Sequence, residues 1–199
     1  MEVRGYRRRR KKSKAPLVII FLIIAALIIG LVGVYAYGVY IEKTHPIIYE
    51  NYVEQYSREF HVDKYLVYAV IKTESGFRPD AVSNVGARGL MQIMEETFDW
   101  IKFKMGDDES VYYDMYDPKT NIRYGCWLLG YLTEEFGNVE AVAAAYHAGR
   151  GSVNNWLSDK RYSSDGVHLD DIPISDTAHY VSKITKAKDT YVRLYDNNK

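Results

Sequence analysis

From Leu17 to Ile41 the chain carries no charge and consists mostly of Leu, Ile, Val, Ala, Gly and Tyr. About 20 apolar residues cross a bilayer as a helix, so this run is long enough to span one. Pro16 stands at its start, where a missing N–H costs little. Tyr35, Tyr37 and Tyr40 gather at its far end, as aromatic residues do at a lipid–water boundary. Eight bases (Arg4, Arg7 to Arg10, Lys11, Lys12 and Lys14) crowd into the first fourteen residues beside one acid, Glu2. The bias of basic residues to the cytoplasmic side predicts a cytoplasmic tail over 1–16, a single-pass anchor over 17–41, and all later residues outside the cell membrane. A cleaved signal peptide is the rival reading. The apolar run is too long for it, and no small-residue cleavage site follows.

The formal net charge is zero, with 26 bases against 26 acids. With the basic tail set aside, 18 bases and 25 acids remain, a net of −7 over 42–199. An acidic body lacks the basic face that a nucleic-acid binder needs, so no nucleic-acid partner is expected. The single cysteine, Cys126, excludes a disulfide framework and a Cys-based zinc site. It falls among Trp127, Leu128 and Leu129 and reads as a small buried hydrophobe. The five histidines show no metal-ligand spacing, so neither a metal nor a cofactor is expected.

Beyond a short linker over 42–50, the residues 51–199 read as one domain of helices. Tyr52 to Phe60 forms the first, and Asp63 caps a second that stops at Gly76. A loop from Phe77 to Arg88 leads to a third helix over Leu90 to about Lys104. Residues 106–116 read as acidic and irregular. Asp117-Pro118 is a strong start signal for a helix reaching Phe136. Asn138 caps another that ends at Gly149, and Ser152 caps a short one to Leu157. Residues 158–172 read as surface loop, and Ser175 or Asp176 caps the last helix, to about Tyr195. No segment sustains a two-residue alternation, so the fold class is all-α with little or no sheet.

Glu74 is the first chemical candidate. It closes the apolar helix that contains Tyr65 to Ile71, where partial desolvation raises a carboxyl pKa and keeps it protonated, as a general acid must be. After it, Ser83 to Met94 places glycines where the backbone must pass close to something, and Gln92 offers donors and acceptors for a sugar amide. Ala143 to Gly149 packs small residues around Tyr146, a tight helix crossing with a polar handle.

These segments occur in a telling order: Glu74-Ser75-Gly76-Phe77, Gly86-Ala87 to Met94, Ala145-Tyr146-His147-Ala148-Gly149, and Pro173 to Val181. Together they resemble the catalytic domain of the soluble lytic transglycosylase (SLT) family, which has a lysozyme-like fold. The resemblance covers roughly residues 50–195. It implies a peptidoglycan glycan strand as partner and substrate, cut between N-acetylmuramic acid and N-acetylglucosamine. It also implies that Glu74 serves alone as acid and then base, with the muramic C6 hydroxyl attacking C1 to leave a 1,6-anhydro end. Ser83 matches a hydroxyl that contacts the sugar beside the catalytic acid, Gln92 and Met94 match cleft-lining positions, Tyr146 a tyrosine near the catalytic carboxyl, and Tyr180 a second cleft tyrosine. The nearest other acid, Asp80, reads as a turn residue.

Three positions depart from the family pattern. His147 stands where Asn is usual, which alters the contact made there and introduces a group able to titrate. Asp176 stands for Glu, and Glu95 for Pro. Two alternatives remain beside the transglycosylase: a muramidase on the same fold using water as nucleophile, and a glycan-binding scaffold that recruits a cell-wall or secretion complex.

Overall fold

The computed structural model describes residues 15–196. The basic tail expected over 1–16 lies almost wholly outside this range. The chain divides into two units, Met1–Thr44 and His45–Lys199. The first contains one helix, α1, Ala15–Thr44. Its stretch Phe21–Thr44 is long and apolar enough to cross a membrane, with a mean hydropathy of 2.4. The linker expected over 42–50 is thus helical to Thr44, and from His45 onward the residues belong to the second unit.

The second unit is helical, as the periodicity predicts. It comprises α2 (Glu50–Glu59), α3 (Lys64–Glu74), α4 (Glu95–Met105), α5 (Pro118–Phe136), α6 (Val139–Ala148), α7 (Arg150–Ser158) and α8 (Ser175–Tyr195). Caps foreseen in the sequence form at three starts. The Asp63 carboxylate accepts from Tyr65 N at 2.8 Å, Asp117 from Thr120 N at 2.8 Å, and Asn138 from Ala141 N at 2.9 Å. The apolar helix α3 is the centre of the core. Tyr65 to Ile71 are all buried, and the helix packs chiefly against α8, as α6 also does. Cys126 is fully buried and burial pushes its thiol pKa up, which fits packing and not reactivity.

Several features differ from the sequence reading. The third helix begins at Glu95, not Leu90. Arg88 and Ile93 instead exchange both backbone hydrogen bonds, at 3.0 and 3.1 Å, and Gln92 takes a left-handed φ of 49°. These bridges, Val82 to Arg88 and Arg88 to Ile93, are the only β-pairing among the described residues. The short helix α7 starts at Arg150 because Gly149, at φ 85°, breaks the chain after α6. Ser152 then lies inside the first turn and donates to Ala148 O instead of capping. Neither Ser175 nor Asp176 caps α8, whose first turn closes by Ala178 N donating to Ile174 O. Within 106–116 the chain is ordered by Asp107, which accepts from Ser110, Arg123 and Tyr124, before a 3-10 turn over Tyr112–Tyr116.

Among the described residues one buried side chain is unsatisfied. Tyr68 is 1% exposed, packs against Tyr191 and Phe77, and its hydroxyl has no hydrogen-bond partner. Leaving a buried hydroxyl unpaired costs about 1–3 kcal/mol. Tyr68→Phe is therefore expected to raise unfolding stability by about 1 kcal/mol, read from urea midpoints at unchanged m-value. A loss of stability would mean that the hydroxyl is paired in solution.

Candidate active site

Glu74 is the last residue of α3, and the chain leaves it through two successive left-handed residues, Gly76 at φ 59° and Phe77 at φ 65°. Glycine takes this geometry freely. Phenylalanine does not, and its buried ring against Tyr68 holds it there. Ser75 ties the helix end to the following loop, its hydroxyl lying 2.8 Å from Leu90 O and 3.2 Å from Ile71 O.

The loop is a preformed scaffold. Asn121, fully buried near the start of α5, accepts from Met91 N at 2.8 Å and donates towards Arg88 O and Met115 O at 3.0 and 2.9 Å. The Tyr112 hydroxyl sits 2.7 Å from Gly86 O and 3.1 Å from Ile93 O, with the Arg88 guanidinium over its ring at 4.1 Å. Gly89 is essential to this closeness. At φ 77°, a Cβ there would stand 2.0 Å from Met115 O and 2.3 Å from Asn121 Nδ2.

Against this scaffold the Glu74 carboxyl meets α8. The Tyr180 hydroxyl donates to Glu74 Oε1 at 2.7 Å. Burial pushes the Glu74 pKa up to about 7, while the hydrogen bond from Tyr180 pulls the other way. Among the described residues no second carboxylate acts on it. The His147 ring stacks on Tyr180, centroids 4.6 Å apart, with Nδ1 3.0 Å from the buried Thr177 hydroxyl. Tyr146 donates to Met91 O at 2.7 Å, and its phenol pKa is raised by burial and then by Glu74.

The residues singled out in the sequence thus divide. Glu74, Tyr180, His147 and Tyr146 gather at the junction of α3, α6, α8 and the loop. Ser83 and Gln92 are engaged by the loop itself: Ser83 Oγ accepts from Ala87 N at 3.0 Å, and Gln92 Nε2 donates to Ala81 O and Gly89 O. What Gln92 keeps for a ligand is its carbonyl oxygen. Met94 is exposed immediately before α4. Sequence reasoning missed Asn121, Tyr112 and Thr177. Asn121 alone left a signal, a polar residue on the face of α5 that Gly125, Leu129 and Leu132 bury. Among the described residues no cluster of His, Cys, Asp or Glu could hold a metal ion.

The fold and site define an all-helical, lysozyme-like domain in which a tyrosine of α8 donates to the carboxyl that closes an apolar helix. The family model described as Transglycosylase SLT domain matches residues 51–168. The soluble lytic murein transglycosylase of Salmonella typhimurium is 34% identical over 163 residues, which cover 80% of this chain and 25% of that protein. The membrane-bound lytic murein transglycosylase C of Serratia proteamaculans is 31% identical, over 71% of this chain and 46% of that one. The 70-kDa soluble lytic transglycosylase of Escherichia coli superposes with a TM-score of 0.69 at 28% identity, over 77% of this chain and 25% of its own. The chain belongs to the SLT-domain transglycosylase family. It spans about a quarter of the length of the soluble relatives.

Proposed function

We propose that this protein is a membrane-anchored lytic transglycosylase. It cleaves the glycan of peptidoglycan between N-acetylmuramic acid and N-acetylglucosamine and leaves 1,6-anhydro ends. The observation that carries the reading is the lone Glu74 carboxyl with its pKa near 7, held by Tyr180 at 2.7 Å. Ordinary glycosidases need a second carboxylate, as nucleophile or as base for water. A nucleophile internal to the sugar needs none. Protonated Glu74 gives its proton to the glycosidic oxygen as the C1–O bond breaks. The resulting carboxylate takes the proton of the muramic C6 hydroxyl as that oxygen bonds C1, which restores the acid without water. Tyr180 stabilises the carboxylate between the two steps, and His147 braces the Tyr180 ring. Tyr146, Ser83, Gln92 and Met94 line the approach of the strand. The inactive mutant of the Pseudomonas aeruginosa relative Slt, solved with Gln in place of a Glu, agrees with an essential glutamate. In α1 the chain has a single-pass anchor, with its N-terminus in the cytoplasm and the catalytic domain outside.

The test is incubation of the full chain, in detergent micelles, with purified peptidoglycan and mass analysis of the released muropeptides. Products one water lighter than reducing muropeptides are expected. Reducing ends would assign a hydrolase, and glycan binding without products would assign a scaffold.

Tyr180→Phe removes the one hydrogen bond that lowers the Glu74 pKa. Its rate is expected to fall about tenfold or more, the worth of a hydrogen bond to a charged group. The alkaline limb of its kcat/KM profile, set near pH 7 by Glu74, is expected to move up. A slower enzyme with an unmoved limb would show that Tyr180 acts only by packing.

A further inference from the structure

A cavity of about 530 Å3 lies where the end of α2 meets α5, apart from the Glu74 carboxyl. Trp127 and Tyr131, one turn apart on α5, form its wall, with rings stacked 5.5 Å apart at 11°. Trp100 of α4 braces both edge-on from behind, at 5.3 and 5.2 Å. Glu134 follows Tyr131 on the same helix face, and Glu59 faces it from the end of α2. Both glutamates are exposed, and neither enters an ion pair among the described residues. Gly130 lets the Phe60 carbonyl come so close that a Cβ would lie 2.3 Å from it, and that oxygen accepts no backbone hydrogen bond from the turn that follows. His61 also lines the cavity. No lysine or arginine lines it. Aromatic rings and two carboxylates outside any ion pair, with no lysine or arginine beside them, form a receptor for an ammonium group.

The cavity also shares a wall residue with a second one nearer the proposed active site. Tyr131 lines a second cavity of about 290 Å3 together with Thr97, Trp100 and Tyr146. The hydroxyl of Tyr146 in turn rests on Met91 O, within the loop beside Glu74. Tyr131 and Tyr146 thus line one cavity between the acidic cavity and the loop that follows Glu74.

We infer that this cavity binds the free amino group of a peptide stem carried by the glycan, an inference that rests on the glycan reading above. The neighbouring cavity lined by both Tyr131 and Tyr146 favours a group tethered to the substrate over a lysine of a separate protein. The site selects stems with a free amine over stems whose amine is blocked by a cross-link.

The test measures binding without cleavage, by tryptophan fluorescence of the full chain in detergent micelles. The probes are a synthetic stem peptide ending in a diamino acid with a free side-chain amine, its N-acetylated twin, an unrelated lysine peptide, and a peptide-free chitooligosaccharide. Acetylation is expected to weaken binding about tenfold. Glu134→Gln or Glu59→Gln is expected to weaken the free-amine peptide similarly and to abolish the difference between the twins. Binding of the chitooligosaccharide should not change in these variants, whereas Glu140→Gln, outside the cavity, should leave all four probes unchanged. Equal binding of the twins, or binding of neither, overturns the inference. Equally tight binding of the unrelated lysine peptide overturns the stem assignment and gives the cavity to a protein ligand. Peptide binding and peptidoglycan cleavage are read separately, so this inference and the transglycosylase reading fail by different observations.

Discussion

Glu74→Gln is expected to lower the release of muropeptides from peptidoglycan by about a thousandfold while glycan binding is kept. The amide preserves the shape of the carboxyl and can still accept from Tyr180, but it has no proton to give. The same substitution carries a signature in stability. The Glu74 pKa is raised from 4.5 to about 7 in the fold, chiefly by burial. The unfolded chain therefore loses its proton first as pH rises. The stabilising contribution of the protonated carboxyl is complete below pH 4.5, declines between 4.5 and 7, and is lost above 7. A shift of this size corresponds to something on the order of 3 kcal/mol. Glu74→Gln escapes that decline. Its thermal midpoint is expected to match the wild type below pH 4.5 and to exceed it above pH 7. Parallel midpoints across this range would show that the carboxyl is not desolvated, and would remove the basis for its role as an acid at neutral pH.

Gly89→Ala is expected to be the most destabilising single change in the loop, by about 4 kcal/mol or more. Two costs add. The left-handed φ of 77° strains any L side chain, and the new Cβ would fall 2.0 Å from a backbone oxygen, that of Met115. A backbone atom cannot rotate away, so the 3-10 turn must move or the clamp between Asn121, Met91 and Arg88 must open. Because that clamp holds the loop beside Glu74, activity is expected to fall with stability, and chemical denaturation should show a lower midpoint. Retention of both would mean that the loop tolerates a looser packing against α5 than the close approach implies. Gly86, at φ 90° but with open space around it, should cost only the strain, about 1 kcal/mol.

The apolar run of α1, the caps at Asp63, Asp117 and Asn138, and the helical character of the second unit were legible because each depends on neighbours within a few residues. Spacing, a capping carboxylate and a stop glycine are local facts, and the helices obey them. Glu74 was legible for the same reason: the apolar helix that ends in it already implies desolvation. The failed boundaries are those where a distant contact outweighed local preference. Leu90 to Met94 has a helical composition, yet Ile93 pairs with Arg88 and Met91 N donates to Asn121, thirty positions away. Ser152 and Ser175 are good capping residues that lost their place once Gly149 and Ile174 fixed where the helices begin.

By itself the sequence determined the all-helical class, the apolar span, the carboxyl at the end of the apolar helix α3 and, through the order of its motifs, the family. The tertiary structure decided the surroundings of that carboxyl. It brought Tyr180 from α8 to within 2.7 Å of a residue 106 positions earlier and stacked His147 upon it. It also turned Gln92 inward to hold the loop and gathered Trp127, Tyr131, Glu59 and Glu134 around one cavity. The physical reason is range. Helix propensity and capping act over a single turn, whereas desolvation, long-range hydrogen bonds and cavity walls exist only where remote segments meet.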